Sequence, residues 1–564
     1  MFLPTLREEI QTLGWDCLDV ILITGDAYID SPYSGAAVIG RVLLDAGYRV
    51  GIIAQPDIKS DKDITRLGEP GLFWGVTSGC VDSMVANFTP LNKRRKSDDF
   101  TPGGKNTKRP DRAVIVYSNL IRQYFKNTKP VVLGGIEASL RRVSHYDYQS
   151  DSIRKSILFD AKADYLIYGM GEKAVFELAD KLKKNTEVKD TRGICYISVH
   201  KKESYVELPS HEEVKADKSK FAEMFRLFYE NNEPDSAKGI MQKQDTRYLI
   251  QNPPAEYLTA RELDKINCID YERDAHPYYK KQGKITALDT IRFSLATHRG
   301  CFAECNFCSI AAHQGRKIIS RSEDSILAEA QKIASLPDFK GYILDAGGPT
   351  ANMYGMGCKK GKICSNKKCL SPSVCRNMDT NHKKQIDLLK KISRIHGVKK
   401  VFVASGIRYD LVLEDREFGI EYIEEIAANH VSGQIKIAPE HTSSEVLLLM
   451  NKPGAFYLKR FKEEFEKANR KAGKKQFLTY YLMAAHPGCG MDEMKELQKF
   501  IKSELHISPE QAQIFTPTPS TYSTLMYYTG IDPATGKKIF VEKTHAGKQK
   551  QKDMILDDHN KFEL

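Results

Sequence analysis

The sequence predicts an α/β protein with two successive folds, a doubly wound parallel sheet and then a partial (βα)6 TIM-type barrel. Three observations predict it. Short apolar runs ending at glycine alternate with helical stretches of 3.6-residue periodicity along most of the chain. At 564 residues the chain exceeds what one hydrophobic core organises. After residue 290 the alternation becomes regular enough to count as six strand–helix repeats.

In the first part, residues 1–190, strands are expected at Val20–Thr24, Tyr48–Ala54, Gly71–Val76, Ala113–Tyr117, Pro130–Gly135 and Asp164–Gly169. A helix is expected over Gly35–Ala46. Strands separated by helices imply parallel pairing, and ligands on such sheets bind beyond the strands' carboxyl ends, where Gly25, Gly134, Gly135 and Gly169 fall. No G-x-G-x-x-G opens the first helix, which argues against a dinucleotide site.

Residues 191–285 read as a connecting segment, with hairpin strands at Gly193–Val199 and Glu203–Leu208 and helices near Lys218–Asn231 and Thr259–Ile266. Residues 286–530 form the barrel. Its strands are expected at Ile291–His298, Gly341–Ala346, Lys400–Ser405, Gly433–Ala438, Phe477–Ala484 and Gln511–Phe515. The helices between them are Ser325–Ser335, Lys383–His396, Ile420–Asn429, Leu458–Lys471 and Asp492–Leu505. A Cys-rich insertion at 358–375 interrupts the barrel, and residues 531–564 read as a basic, mobile tail.

Hydrophobic content of 41% and a mean hydropathy of −0.44 describe an ordinary soluble protein. No apolar run reaches bilayer length and the amino end lacks a secretory apolar segment, so a cytoplasmic protein without a membrane partner is expected. The net charge of +12 is concentrated in residues 92–112 and 536–552, which carry +5 each. Both stretches are rich in Gly and Lys and read as a solvated loop and terminus, which leaves nucleic acid weakly supported as a partner. Twelve clustered cysteines suit metal binding in a reducing compartment better than a disulfide framework.

The most specific motif is Cys301-Phe-Ala-Glu-Cys305-Asn-Phe307-Cys308, directly after the first barrel strand. Three thiolates on one loop can hold three irons of a [4Fe–4S] cluster and leave the fourth open. Spacing alone also admits a Cys3His zinc site or inert core thiols. The C-x3-C-x2-C pattern, with an aromatic residue before the third Cys, resembles the signature of the radical S-adenosylmethionine (SAM) enzymes. Asp345-Ala-Gly-Gly-Pro-Thr-Ala-Asn-Met-Tyr354, Ile437-Ala-Pro-Glu-His441, Ala485-His-Pro-Gly-Cys489 and Met526-Tyr-Tyr-Thr529 resemble the YgiQ-type branch of that superfamily.

The resemblance implies that Cys301, Cys305 and Cys308 bind the cluster and that SAM occupies the open iron. One electron from the cluster then splits SAM into methionine and a 5′-deoxyadenosyl radical, which takes hydrogen from an unidentified substrate. An electron donor such as flavodoxin or ferredoxin is implied as a partner. The resemblance places Phe307 near the adenine and Gly347 and Gly348 near the SAM amino group. It places Ser405 and Arg408 at the ribose and carboxylate, and Glu440 at SAM or substrate. Beyond the cluster ligands it assigns no catalytic residue. An ordinary Arg408–Glu440 ion pair is the rival reading of those two side chains. The amino-terminal part resembles the cobalamin-binding-type domain that precedes many such barrels, through Gly134-Gly135-Ile-Glu-Ala-Ser139 and Tyr168-Gly-Met-Gly-Glu172. Tyr28 stands where that pattern carries a cobalt-binding His, which leaves cobalamin open.

A second group, Cys358-x5-Cys364-x4-Cys369-x5-Cys375, is a candidate second metal site. Its polar flanks argue against a core role, and its spacing leaves zinc, a second iron–sulfur cluster and unliganded thiols all open. His382 reads as a solvated helix-start residue and Cys489 as a structural thiol. Alternative functions are methylthiotransferase-like modification of RNA or protein, and a zinc-stabilised RNA-binding protein without SAM chemistry. The first lacks its three amino-terminal ligand cysteines, since only Cys17, Cys80 and Cys195 precede residue 200.

Overall fold

A computed structural model describes residues 1–361, 364, 368–509 and 511–556. It divides into two compact units, one of Met1–Leu258 with Lys265–Arg292, the other of Thr259–Asp264 with the chain from Phe293 onward.

The first unit is built on nine strands: β1 (Val20–Thr24), β2 (Val50–Ala54), β3 (Phe73–Thr77), β4 (Val131–Leu133), β5 (Tyr165–Ile167), β6 (Ile194–Ser198), β7 (Val206–Leu208), β8 (Ile240–Gln244) and β9 (Arg247–Gln251). Their order is β7-β8-β9-β6-β5-β4-β3-β1-β2. The five strands β2-β1-β3-β4-β5 are parallel, with Val20 opposite both Val50 and Phe73. β1 and β2 are buried at every position, as strands covered on both faces must be. Strand order reverses between β1 and β3, the place where open α/β sheets form a crevice.

Two expectations fail here. Residues 113–117 begin a helix, Ala113–Tyr124, rather than a strand. The apolar run Ala-Val-Ile-Val-Tyr satisfies both periods locally, but burial falls on Ala113, Val114, Tyr117, Ser118, Leu120 and Ile121, the helical spacing. Residues 191–285 do more than connect, since they supply β6 to β9 to the same sheet. The expected hairpin between β6 and β7 does not form, because the β8–β9 hairpin inserts between them.

The second unit contains parallel strands in chain order: β10 (Ser294–Ala296), β11 (Tyr342–Ile343), β12 (Asp345–Gly347), β13 (Lys400–Val401), β14 (Gln434–Glu440), β15 (Phe477–Ala484) and β16 (Gln513–Ile514). β10 pairs with β12, β11 with β13, β14 with β15, and β15 with β16, all parallel. A parallel bridge between Ile407 and Ile437 links the third and fourth barrel positions. The β11–β12 pair makes one interrupted barrel strand, so six positions succeed one another as a partial barrel.

The basic tail is also not free along its described length. His545–Asp553 is a helix whose Lys548 and Gln551 are fully buried. Lys548 Nζ donates to Tyr527 Oη at 2.9 Å, and Gln551 Nε2 donates to the Cys489 carbonyl at 3.0 Å. The other basic stretch is likewise ordered, since Arg109 is fully buried and tied to Asp26 and Asp98.

Candidate functional site

The Cys301–Cys308 loop leaves the first barrel strand at the carboxyl end, where barrel chemistry resides. Its backbone is tied on several sides. Cys301 N donates to Gly315 O at 3.2 Å, and Asn306 N to Met450 O at 2.9 Å. Asn306 Nδ2 donates to Leu449 O, and Asn451 Nδ2 to Glu304 O, each at 2.8 Å. Glu304, inside the motif, pairs with Arg316 at 3.1 Å with both side chains buried. A loop held this way keeps its thiols in place before any metal arrives.

Cys301 is buried, and Cys305 and Cys308 are half-buried. Burial raises the Cys301 thiol and pushes Cys308 up to about 12, with Cys305 adding to both. Both must lose a proton to ligate iron, as thiolate binding requires. Cys301 Sγ lies 3.5 Å from Thr350 Oγ1, and Arg408 Nη1 donates to Cys305 Sγ at 3.5 Å. A buried guanidinium against one of three thiols fits an anionic thiolate cluster. The donor set therefore suits a cubane with one open iron.

The six expected SAM contacts divide. Gly347 O already accepts from Thr297 N at 2.7 Å. Ser405 Oγ donates to Asp345, and Ser405 N donates to the same carboxylate at 3.1 Å. Arg408 does not pair with Glu440. Its Nε and Nη2 grip Asp410 at 2.8 and 2.6 Å, so the fork expected on a SAM carboxylate is held by the protein and only Nη1 faces the thiols. Three contacts remain uncommitted. Phe307 stands edge-on to His486 at 6.3 Å. Gly348 lies under the His298 ring, where a Cβ would come within 2.6 Å. Glu440 ends β14 in a left-handed conformation, φ 67°, with no side-chain hydrogen bond among the described residues. Burial raises its carboxyl against the pull of Lys452. Ala485, just past β15, has φ 58°. Such non-glycine backbone costs energy and clusters at functional sites.

Several neighbours were not singled out from the sequence. His298 is buried and held neutral, near 4, by desolvation. His441 Nε2 lies 3.5 Å from Cys489 Sγ, and burial lowers that imidazole to about 4. Both were legible as residues flanking motif strings, His298 three before Cys301 and His441 after Glu440. Asp345 opens a motif string but gave no sign of its role, and Asp410 carried no signal, because they act by holding Ser405 and Arg408. His382 is a correction. It is fully buried at the start of the following helix, with Nδ1 2.8 Å from Asp415 Oδ2 and Nε2 3.0 Å from Asn352 Nδ2, because those two polar partners satisfy both ring nitrogens away from water. Cys489 is buried, as a structural thiol would be.

In the amino-terminal unit the strand ends hold a different arrangement. Arg109 Nη2 lies 2.7 Å from Asp26 and 3.1 Å from Asp98, and Nη1 donates to Ser78 O at 2.5 Å. Gly25 allows that closure, since a Cβ there would meet Ser78 O at 2.2 Å. Tyr28, in the place of the cobalt-binding His, is buried and donates to Asp30 Oδ1 at 3.1 Å. It does not fit an axial cobalt ligand. Residues 2–294 match the radical SAM N-terminal family model, and residues 295–501 match the radical SAM superfamily model. A UPF0313 protein of Fusobacterium nucleatum is 56% identical over 99% of both chains, and one of Thermotoga neapolitana is 49% identical over 99% of this chain and 98% of its own. The radical SAM methyltransferase TsrM of Kitasatospora setae, solved with cobalamin and a [4Fe–4S] cluster, shares the fold at a TM-score of 0.55 and 15% identity over 96% of this chain and 86% of that one. No helix among the described residues is long and apolar enough to cross a membrane. The chain belongs to the UPF0313 family, the YgiQ-type branch of the radical SAM enzymes, whose cofactors are a [4Fe–4S] cluster and SAM.

Proposed function

We propose that this enzyme cleaves SAM reductively and uses the resulting radical to take hydrogen from its substrate. The observation that carries this reading is the placement of Cys301, Cys305 and Cys308 on one anchored loop at a barrel strand's carboxyl end, with Arg408 Nη1 3.5 Å from Cys305 Sγ. Cys301, Cys305 and Cys308 hold the cluster. When bound, the cluster supplies one electron to the SAM sulfonium, giving methionine and a 5′-deoxyadenosyl radical.

The chain's own residues position and shield. Arg408, locked by Asp410, keeps positive charge against the thiolates without competing for their iron positions. Phe307 offers a ring face to adenine, and Gly348, lacking a side chain, makes room for the His298 ring beside it. Glu440 offers the uncommitted carboxylate for the SAM amino group or the substrate. Ser405, held by Asp345, shapes the mouth rather than reaching into it. A one-electron carrier of the flavodoxin or ferredoxin type supplies the electron.

The test is anaerobic. The full chain is reconstituted with iron and sulfide, reduced with dithionite and given SAM, and 5′-deoxyadenosine is measured. A Cys301→Ala/Cys305→Ala/Cys308→Ala variant serves as control. Deoxyadenosine from the parent alone supports the reading. Its absence from a parent that carries the full cluster, across candidate substrates, sinks it.

A further inference from the structure

Four thiols in the loop after β12 take no part in the chemistry above. The loop is closed at its base by a short antiparallel ladder, Gly357–Cys358 against Met378–Asp379, with Cys358 opposite Met378. Lys359 N donates to Asn377 O at 2.8 Å, which draws Cys358 toward the Cys375 end of the loop. Cys375 N donates to Cys369 O, and Met378 N to Cys375 O, both at 2.8 Å. Asn377 Nδ2 lies 3.7 Å from Cys375 Sγ.

Cys358, Cys369 and Cys375 are half-buried and pack on one apolar cluster that includes Cys301, Phe302, Met353, Met356 and Met378. Cys305 packs on the same cluster, so the two thiol groups share one wall. Burial raises the Cys369 thiol to about 11, Arg316 opposes it, and Glu304, Cys375 and Cys358 add to it. Cys358 and Cys375 thus both lie within electrostatic reach of the Cys369 sulfur. Cys364, the fourth, is half-buried, and Lys359, Lys360 and Lys368 on the same loop are exposed.

Four thiolates are a complete ligand set for an iron–sulfur cluster. Zinc suits the loop less well. A structural zinc site takes its cysteines in pairs about two to four residues apart and draws all four sulfurs to about 2.3 Å from one point. Here five, four and five residues separate successive cysteines. A cubane binds each thiolate at a different iron and accepts a wider set.

We infer that Cys358, Cys364, Cys369 and Cys375 hold a second iron–sulfur cluster that relays single electrons to the first. Four thiolates leave no iron open, so substrate has nowhere to bind on it, and electron transfer is the chemistry left to it. A flavodoxin- or ferredoxin-type carrier is oxidised by one electron, the second cluster is reduced, and it is reoxidised as the Cys301–Cys308 cluster is reduced. No bond forms or breaks and no proton moves. The relay role rests on the proposed radical chemistry, whereas the cluster itself does not.

Iron and acid-labile sulfide are counted after anaerobic reconstitution of three full-length proteins: the parent, Cys301→Ala/Cys305→Ala/Cys308→Ala, and Cys369→Ser/Cys375→Ser. Circular dichroism confirms that each is folded. The expected content is about eight irons per parent chain and about four in each variant. A parent with about four irons that Cys369→Ser/Cys375→Ser keeps and the triple variant loses overturns the second cluster. A triple variant without iron, or with zinc in its place, does the same. Loss of the first cluster alone appears instead as four irons in the parent that disappear with Cys369→Ser/Cys375→Ser, which separates the two readings. For the relay, deoxyadenosine formation in Cys369→Ser/Cys375→Ser is compared with two reductants. About a tenfold loss with flavodoxin and less than about a twofold change with dithionite is expected. Equal losses, or none, with both reductants overturn the relay.

Discussion

The carboxyl ends of the parallel strands in the two units use the same topological position in opposite ways. At the β1–β3 switch point the chain fills its own crevice. Arg109, Asp26 and Asp98 are buried, with both carboxylates paired to Arg109, and Gly25 admits the Ser78 carbonyl against the backbone. At the barrel mouth, Cys305 and Cys308 remain half-exposed, Glu440 keeps a free carboxylate, and strained backbone occurs at Glu440 and Ala485. A strand end becomes a ligand site only where the polar groups there are left without partners. Closure favours stability, and openness favours chemistry.

The largest expected effect tests the open end. Cys305→Ala lowers deoxyadenosine formation more than about 100-fold, beyond the usual cost of losing a cluster's supporting contact, while the melting of the amino-terminal unit stays unchanged. If deoxyadenosine persists, the thiol is not a ligand. The closed end should respond in the opposite sense. Arg109→Met strands two buried carboxylates and costs about 3–5 kcal/mol of stability in urea unfolding, with iron content kept. A change below about 1 kcal/mol would show that the crevice is not held by this ion pair.

A middle-sized effect should join the two behaviours. Asp410→Asn frees the Arg408 fork and lowers deoxyadenosine formation about 10-fold to 100-fold with the iron count intact, because a positioning group has been lost rather than a ligand. A shifted electron paramagnetic resonance spectrum of the reduced cluster is the readout that a purely structural role would leave unmoved.

The smallest effect lies away from both ends. His430 donates to Glu425 at 3.2 Å, and this bond, with Asn429 and against partial desolvation, holds the carboxyl near 2. A carboxylate lowered on folding contributes stability above its unfolded value and loses it as pH falls. Glu425→Gln should therefore cost about 1 kcal/mol at pH 6, after allowance for solvent screening, and the gap from the parent should close between about pH 4.5 and pH 2. A gap that is constant over that window removes the carboxylate from the account.

Local information was enough where one period dominated. β1 runs over Val20–Thr24 as expected, because a short apolar run between Asp19 and Gly25 has a single outcome. β15 over Phe477–Ala484 and the helix over Lys218–Glu230 were equally legible. Residues 113–117 were not, because five apolar residues fit a strand or a helix and only packing chooses. The described part of the basic tail was misread for a related reason. Lysine-rich composition argues for solvent, yet Lys548 is buried beneath the Tyr527 ring with its amine bonded to the phenol. His382 followed the same logic, since its partners Asp415 and Asn352 lie 33 and 30 residues away.

The sequence by itself determined the strand–helix alternation and the spacing of Cys301, Cys305 and Cys308, because both are set by residues near one another along the chain. Only the tertiary structure decided which polar groups remain available. Ser405 meets Asp345 across 60 residues, and Arg109 meets Asp26 in a different strand connection. Such pairs form once burial removes water as a competing partner, and that happens only when distant segments pack.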